Sequence, residues 1–350
     1  MKALFLAGGM GTRLRPLTDR IPKPMVPVMG KPLLERTLET LKVHNVDDII
    51  LSTCYKRNAI EKYFGDGSNF GLKIHYVSED FPLGTGGAIK DCEKYFDDTF
   101  FIFNADILSN INFSEMLRYH KRKKADVTIA VIRVDNPSAY GVIEYDENDY
   151  ASSFREKPAP REVASHFINA GVYIFEPEVI RSIPSGRVVS VEREIFPKLI
   201  KNGLKIAVYK GCNYWLDIGT PEKYIQAHRD GFEGKLRLPE TNFQEHAVYS
   251  RLNAEISGTA TLRGPVYLGQ NVRIEDGAVV GPYVVVGDNG VVGKKSEIAN
   301  SILWDNVVVE DGVKMTGCVV TDDSIIKSAS RYTHVIYTPE TVKAITPLAV

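Results

Sequence analysis

One short stretch near residue 10 has the residue types needed to handle phosphate. Leu6-Ala7-Gly8-Gly9-Met10-Gly11-Thr12-Arg13 sets three glycines behind an apolar run. Glycine has no Cβ, so backbone N–H groups in such a loop can approach phosphate oxygens closely. Arg13, and Lys23 within Pro22-Lys23-Pro24, add two cations able to neutralise a polyphosphate and a departing pyrophosphate. No Gly-Lys-Ser/Thr follows, so this is not a Walker A loop. Leu14 stands where a dinucleotide fingerprint needs its third glycine. Gly-Gly-x-Gly by itself would suit a plain tight turn equally well. The block with Thr12-Arg13 and the downstream Pro-Lys-Pro is far more specific.

Those residues need elements to hold them. Ala3 to Ala7 is a short, almost wholly apolar run, as in a strand buried on both faces of a parallel sheet. Further strands are expected at Ile49 to Thr53, Ile74 to Val77, Phe100 to Phe103, Val127 to Val134 and Ile206 to Tyr209. Between the first two, Pro32 to Asn45 places Leu34, Leu38 and Leu41 at helical spacing, with Pro32 suited to a first turn. Strand, helix, strand at this rhythm predicts a layered α/β domain.

From about residue 264 the pattern changes. Leu268, Ile274, Val280, Val286, Val292 and Ile298 recur every six residues, and Gly269, Gly281, Gly287 and Gly293 each follow one of them. That period predicts a parallel β-helix with one apolar residue per face. Chance spacing in a β-sandwich would not give six consecutive hits. The period slips near Trp304 and resumes at Val309 and Met315. The polar stretch Gly231 to His246, with Pro239, reads as a linker, and the segment beyond Ser328 carries no signal.

Composition limits the rest. The 350 residues suit two domains, and 44% hydrophobic with 25% charged residues is the balance of a globular protein. Net charge is -1, from 43 basic and 44 acidic residues, which argues against a nucleic-acid or membrane-surface partner. The basic run Lys121 to Lys124 fits a solvated helix end. Cys54, Cys92, Cys212 and Cys318 lack the spacing of a metal knuckle or a disulfide scaffold, so reduced thiols and a cytoplasmic setting are expected. The first apolar run is cut at Gly8 and is shorter than a signal-peptide core, and no stretch nears ~18 uninterrupted apolar residues.

The loop block resembles the signature of the sugar-1-phosphate nucleotidyltransferases, and the likeness continues in order to about residue 325. Pro82-Leu83-Gly84-Thr85-Gly86-Gly87-Ala88 resembles the base-binding loop of that family. Asn104-Ala105-Asp106 resembles its metal-binding strand end, and Trp215-Leu216-Asp217-Ile218-Gly219-Thr220 the setting of its second metal aspartate. Tyr140-Gly141-Val142, Glu156-Lys157-Pro158 and Asn169-Ala170-Gly171 resemble its sugar-contacting segments. The resemblance implies a Rossmann-like mixed α/β sheet over residues 1–230, a linker at 231–246, a short left-handed parallel β-helix over 247–328 and a tail at 329–350.

It also implies a set of roles. Arg13 and Lys23 are catalytic; Leu6, Ala7, Gly8, Gly9, Gly11, Thr12, Glu79, Pro82, Gly84 and Thr85 bind the nucleotide. Gly141, Glu156, Lys157 and Asn169 bind the sugar phosphate, and Asp106 with Asp217 holds Mg²⁺. Asp106 or Asp217 alone would suit a helix cap or turn. Together, at element ends, they suit a hard cation completed by water and phosphate oxygens. The substrate supplies the nucleophile, so the protein must align two anions and cancel their repulsion. A nucleoside triphosphate and a sugar 1-phosphate are the expected partners, and the coil is expected to mediate a homo-oligomer.

Glu79 bears on the base. Relatives that use uridine or thymidine nucleotides tend to have glutamine there. An ionised carboxylate only accepts hydrogen bonds, which suits the N1–H and N2 amine of guanine. An exposed loop acid, or a shift of the alignment onto Asp80, is the competing explanation. Asn136-Pro137-Ser138-Ala139-Tyr140-Gly141-Val142 and Val191-Glu192-Arg193-Glu194-Ile195-Phe196-Pro197 resemble the mannose-1-phosphate guanylyltransferase branch. Glucose 1-phosphate with UTP or dTTP stays open, as does a non-catalytic nucleotide-sugar sensor, although Arg13, Lys23 and both aspartates are retained. Acyl transfer in the coil would call for a histidine, and none lies between residues 264 and 326. A glycosyltransferase would not need the Gly-Thr-Arg loop with Pro-Lys-Pro.

Overall fold

A computed structural model of the chain describes residues 1–79, 81–238 and 247–346. Asp80, the second half of the expected linker from Pro239 onward and the last four residues lie outside the described residues. By its contacts the chain divides into two compact units. The first comprises residues 1–10, 22–24 and 37–217; the second comprises 11–21, 25–36 and 218–350.

The first unit is built on a mixed sheet. In chain order its strands are β1 (Lys2–Leu6), β2 (Asp48–Thr53), β3 (Lys73–Ser78), β4 (Phe100–Asn104), β5 (Ile107–Ser109), β6 (Val127–Arg133), β7 (Gly141–Tyr145), β8 (Ala151–Glu156), β9 (Phe167–Phe175), β10 (Ile206–Tyr209) and β11 (Trp215–Asp217). The order is β8-β7-β9-β4-β1-β2-β3, and β6 joins β9 to β10. The pairs β1/β2, β1/β4 and β2/β3 are parallel, while β9 runs antiparallel to β4, β6 and β7. All six expected strands are present. The apolar runs Ala3–Phe5, Ile49–Leu51 and Phe100–Phe103 are buried, as strands covered on both faces must be. Of the five further strands, β5 and β11 are pieces of three residues and β8 is mostly half-buried or exposed, whereas β7 and β9 are largely buried runs, the first opened by Gly141 and the second interrupted by Gly171.

The helix over 33–43 buries Leu34, Leu38 and Leu41. Pro32 lies outside it, in a two-residue strand paired with Pro27–Val28. The basic run closes the helix Phe113–Lys123, with Lys124 left-handed after it.

The second unit contains the left-handed parallel β-helix. Leu268, Val286, Leu303 and Val320 stack in register on one face, and Ile274, Val292, Val309 and Ile326 on the next. Val280, Ile298, Met315 and Tyr332 fill the third. Their side chains form a continuous core. The slip near Trp304 has a local cause. Corners at Gly264-Pro265 and Gly281-Pro282 span one residue more than those at Asn300-Ser301 and Gly317-Cys318, so successive coils shorten from an offset of 18 to 17.

Coiling runs past residue 328. Arg331–Thr333 and Val335–Tyr337 continue the faces, and Val342–Ala344 then pairs antiparallel with Val335–Tyr337. The expected tail therefore includes the last coil, and His334 lies on it. The helix Pro221–Phe232 overlaps the start of the expected linker.

Candidate active site

In the first unit a cavity of about 350 Å³ opens beside the carboxyl ends of β1 and β4. Open α/β sheets bind ligands at that edge. Leu6, Ala7, Gly8, Gly9, Lys23, Glu79, Pro82, Gly84, Thr85 and Asp106 line it, which gathers ten of the expected residues from five stretches of sequence. Pro24, Ala88, Asn104 and Ala105 line it too and were not among the expected residues. Asn104 was within reach of a sequence reading, because it opens the Asn-Ala-Asp motif.

Each glycine has its own reason. A Cβ on Gly8 would meet Glu79 Oε1 at 3.2 Å, whereas one on Gly9 would meet nothing within 4 Å. Gly8 thus admits the Glu79 carboxylate, and Gly9 keeps the rim open. Gly84 and Gly86 pack against Val189, where a Cβ would come within 2.6–2.7 Å. They let the helix Gly84–Asp91 approach the backbone of Val189, whose N–H donates to Leu83 O. Thr85 lines the cavity, yet its hydroxyl donates to Glu192 at 2.6 Å and accepts from Val191 N–H. It anchors the helix start to the π-turn Val191–Ile195.

Glu79 is 8% exposed and its carboxylate is held from two sides. Ser52 Oγ donates to one oxygen at 2.8 Å and Leu83 N–H to the other at 3.0 Å. A carboxylate has about four acceptor sites, so two remain.

The two aspartates meet through the ribbon β5/β11. Asp217 pairs with Ile107, the residue after Asp106, so antiparallel register brings two carboxylates together from opposite parts of the chain. Lys23 Nζ lies 2.5 Å from Asp106 Oδ2 and 3.4 Å from Asp217 Oδ1. Among the described residues no cluster of three or more His, Cys, Asp or Glu is placed to hold a metal. The pair nonetheless fits a hard divalent cation, because both carboxylates already converge on one positive charge and both offer oxygen.

The sugar-side motifs converge around β7, β8 and β9. Gly141 and Glu156 are register partners, and a Cβ on Gly141 would stand 2.9 Å from Glu156 Oε2. Burial raises the pKa of Glu156, and the nearby Glu192 carboxylate adds to the shift. Lys157 has a left-handed φ of 50° and donates its N–H to Tyr140 O, which leaves its side chain 61% exposed. Asn169 opens a bulge in β9 with Gly171 at φ 70°, and bulges of this kind often border functional sites. The Asn169 amide donates to Tyr173 OH and accepts from Gly171 N–H, so its side chain shapes the bulge. Trp215 Nε1 donates to Ala170 O and its ring meets Tyr140 edge-on. The three motifs are thus one packed assembly.

Gly11, Thr12 and Arg13 belong to the second unit. Gly11 is left-handed at φ 61° and caps the short helix Thr12–Leu14, on which Arg13 is exposed and Leu14 buried. Thr18 Oγ1 closes the turn on Gly11 O at 2.9 Å.

Comparison with known proteins bears on this arrangement. A family model described as nucleotidyl transferase matches residues 2–233, and one described as the GMPPB C-terminal domain matches residues 262–346. A mannose-1-phosphate guanylyltransferase of Mycobacterium tuberculosis is 40% identical over 321 residues, covering 91% of this chain and 82% of the relative. A UTP–glucose-1-phosphate uridylyltransferase of Synechocystis is 35% identical over 339 residues, covering 91% and 87%. Among solved structures, HddC from Yersinia pseudotuberculosis complexed with GMP-PN is similar at a TM-score of 0.56 and 32% identity, over 65% of this chain and 97% of that one.

Proposed function

The chain belongs to the nucleotidyl transferase family, and from that premise we propose that it transfers a guanylyl group from GTP to mannose 1-phosphate and releases pyrophosphate. The reaction class is that of a sugar-1-phosphate nucleotidyltransferase, as in the relatives matched over nine tenths of this chain. The observation that carries the choice of base is Glu79. It is buried in the cavity wall and fixed by Ser52 and Leu83, with acceptor capacity to spare. A fixed carboxylate complements the adjacent N1–H and N2 amine of guanine and repels the carbonyl oxygens of uracil. The guanylyltransferase of Mycobacterium tuberculosis supports the same choice.

The chain's own residues divide the work. Gly8 and Gly9 admit phosphate oxygens, and Lys23 cancels charge on the triphosphate and on the leaving pyrophosphate. Lys157 meets the sugar phosphate, and Glu156 accepts from sugar hydroxyls. An oxygen of the sugar phosphate then attacks the α-phosphorus in line with the departing pyrophosphate. Asp106 and Asp217 would hold the divalent cation that this family uses, which we take as Mg²⁺; when bound it neutralises phosphate charge.

The Synechocystis relative supports a second reading with UTP and glucose 1-phosphate. A substrate panel separates them: GTP, UTP, dTTP, ATP and CTP with mannose and glucose 1-phosphates, following pyrophosphate. GTP with mannose 1-phosphate should lead. Glu79→Gln should then lower kcat/KM for GTP by about 10- to 100-fold, the worth of a charged hydrogen bond, and lower it less for UTP. A wild-type preference for UTP or dTTP would remove the guanine assignment.

Assembly into a homo-oligomer through the coil is part of the same proposal. The first-coil strands Val248–Ser250 and Glu255–Ile256 pair on one side only among the described residues, and Val248, Leu252 and Ile256 are exposed. Unpaired apolar edges of this kind favour association. The four free cysteines support a reducing compartment such as the cytoplasm, and no described helix is long and apolar enough to cross a membrane.

A further inference from the structure

Lys23 is the most enclosed cation of the site, with 9% of its side chain exposed, and it faces both aspartates at once. Two carboxylates set side by side, with the Asp217 side chain 15% exposed and that of Asp106 35%, repel each other unless a positive charge stands between them. The Lys23 ammonium supplies that charge at 2.5 Å from Asp106 and 3.4 Å from Asp217. The position it takes is therefore the one a divalent cation would need.

We propose that Lys23 is the built-in counter-ion of the aspartate pair, and that a divalent cation enters by exchanging with it. Metal uptake and release of the Lys23 ammonium toward the nucleotide phosphates are then a single event. This inference rests on the metal reading of Asp106 and Asp217 given above. The physical reason is exclusion: an ammonium and a divalent cation cannot share one pair of carboxylates without strong repulsion. Lysine is suited to the exchange, since its charge sits on a flexible four-carbon stem. The freed ammonium has a destination, because Lys23 lines the same cavity as Gly8 and Gly9. The protein alone therefore binds metal weakly. Nucleotide, by attracting Lys23, tightens metal binding, and metal tightens nucleotide binding by the same factor.

The test uses Mn²⁺ alone as the probe, with its free signal read by electron paramagnetic resonance. Lys23→Met should bind Mn²⁺ at least about tenfold more tightly than the wild type, within the usual range of coupling between sites. Lys23→Arg, which keeps the charge, should bind as weakly as the wild type. Lys23→Met combined with Asp217→Asn should lose the gain. Because Lys23→Met exposes two carboxylates to each other, its melting temperature is read in parallel. It should fall without metal and rise with Mn²⁺ by more than the wild type's does.

Equal Mn²⁺ affinity in wild type and Lys23→Met overturns the exchange. If Asp217→Asn still raises the Mg²⁺ concentration needed for turnover, the metal reading survives that result. If Asp217→Asn leaves the Mg²⁺ requirement unchanged, the metal reading itself fails.

Discussion

At the scale of single residues, the site is defined as much by what its polar groups already hold as by what they could bind. Thr85 and Asn169 were expected to touch ligand, and the side chain of each also makes two hydrogen bonds within the protein. Glu192, far away in sequence, holds the Thr85 hydroxyl, while Tyr173, on the same strand, holds the Asn169 amide. Glu79 differs: its two held oxygens keep further acceptor sites and face the cavity. In the proposed mechanism Asp106 and Asp217 carry the metal, so the proposal depends most on them. Asp106→Asn and Asp217→Asn should each lower turnover by more than about 10²-fold, since weakening a metal's hold in phosphoryl transfer costs several kcal/mol. Far-ultraviolet circular dichroism should show the fold retained. A near-normal pyrophosphate release rate in either variant would take that residue out of the site.

At the scale of elements, the coil keeps its register through polar columns at its corners. Asn253, Asn271, Asn289 and Asn306 are left-handed, and each donates its side-chain amide to the next corner. Asn and Asp tolerate that conformation, so this column is legible from sequence once the period is known. A second column runs Asp288, Asp305, Asp322, each carboxylate accepting a backbone N–H from the coil before it. Burial and the neighbouring Asp305 push the Asp322 carboxyl up to about 7. A carboxyl with a raised folded pKa holds its proton better in the folded state, so its contribution is lost as pH rises from about 4 through 7. Asp322→Asn keeps the acceptor and removes the charge. It should stabilise the protein at pH 8 by on the order of 1 kcal/mol and change little at pH 4, as read from urea midpoints. Asp322→Leu, which removes the acceptor, should destabilise at both values.

At the scale of the whole molecule, each unit is assembled from separate pieces of chain. The second unit takes residues 25–36 into the company of 218–350. Met29 N–H donates to His228 Nε2, Tyr224 OH donates to Pro27 O, and Trp304 Nε1 donates to Tyr224 OH. Burial lowers the His228 pKa to about 4, so the folded state keeps it neutral while the unfolded chain takes up a proton below about 6.5. The stability this group contributes is complete above pH 6.5 and is lost as pH falls toward 4. The loss should reach about 3 kcal/mol, the free energy of such a shift. Urea midpoints between pH 7 and 4 should fall in the wild type and fall less in His228→Phe. Equal slopes would show that His228 is protonated in the folded protein.

By itself the sequence determined the reaction class, the six central strands and the coil. The reaction class came through the likeness of the ordered motifs to a known family, and the strands and coil rest on local rules: apolar runs for strands buried on both faces and a six-residue period. Only the tertiary structure decided which polar groups were still available. It joined Asp106 to Asp217 through the register of β5 and β11, set Lys23 between them, and fixed Glu79 against Ser52 and Leu83. It also gave Thr85 to Glu192 and carried the coil beyond residue 328. Apart from Glu79 with Leu83, these side-chain pairings join residues well separated along the chain, from 27 positions for Ser52 with Glu79 to 194 for Lys23 with Asp217. Hydrogen bonds and ion pairs depend on distances of a few ångström, and spacing along the chain does not fix those distances until the sheet is built.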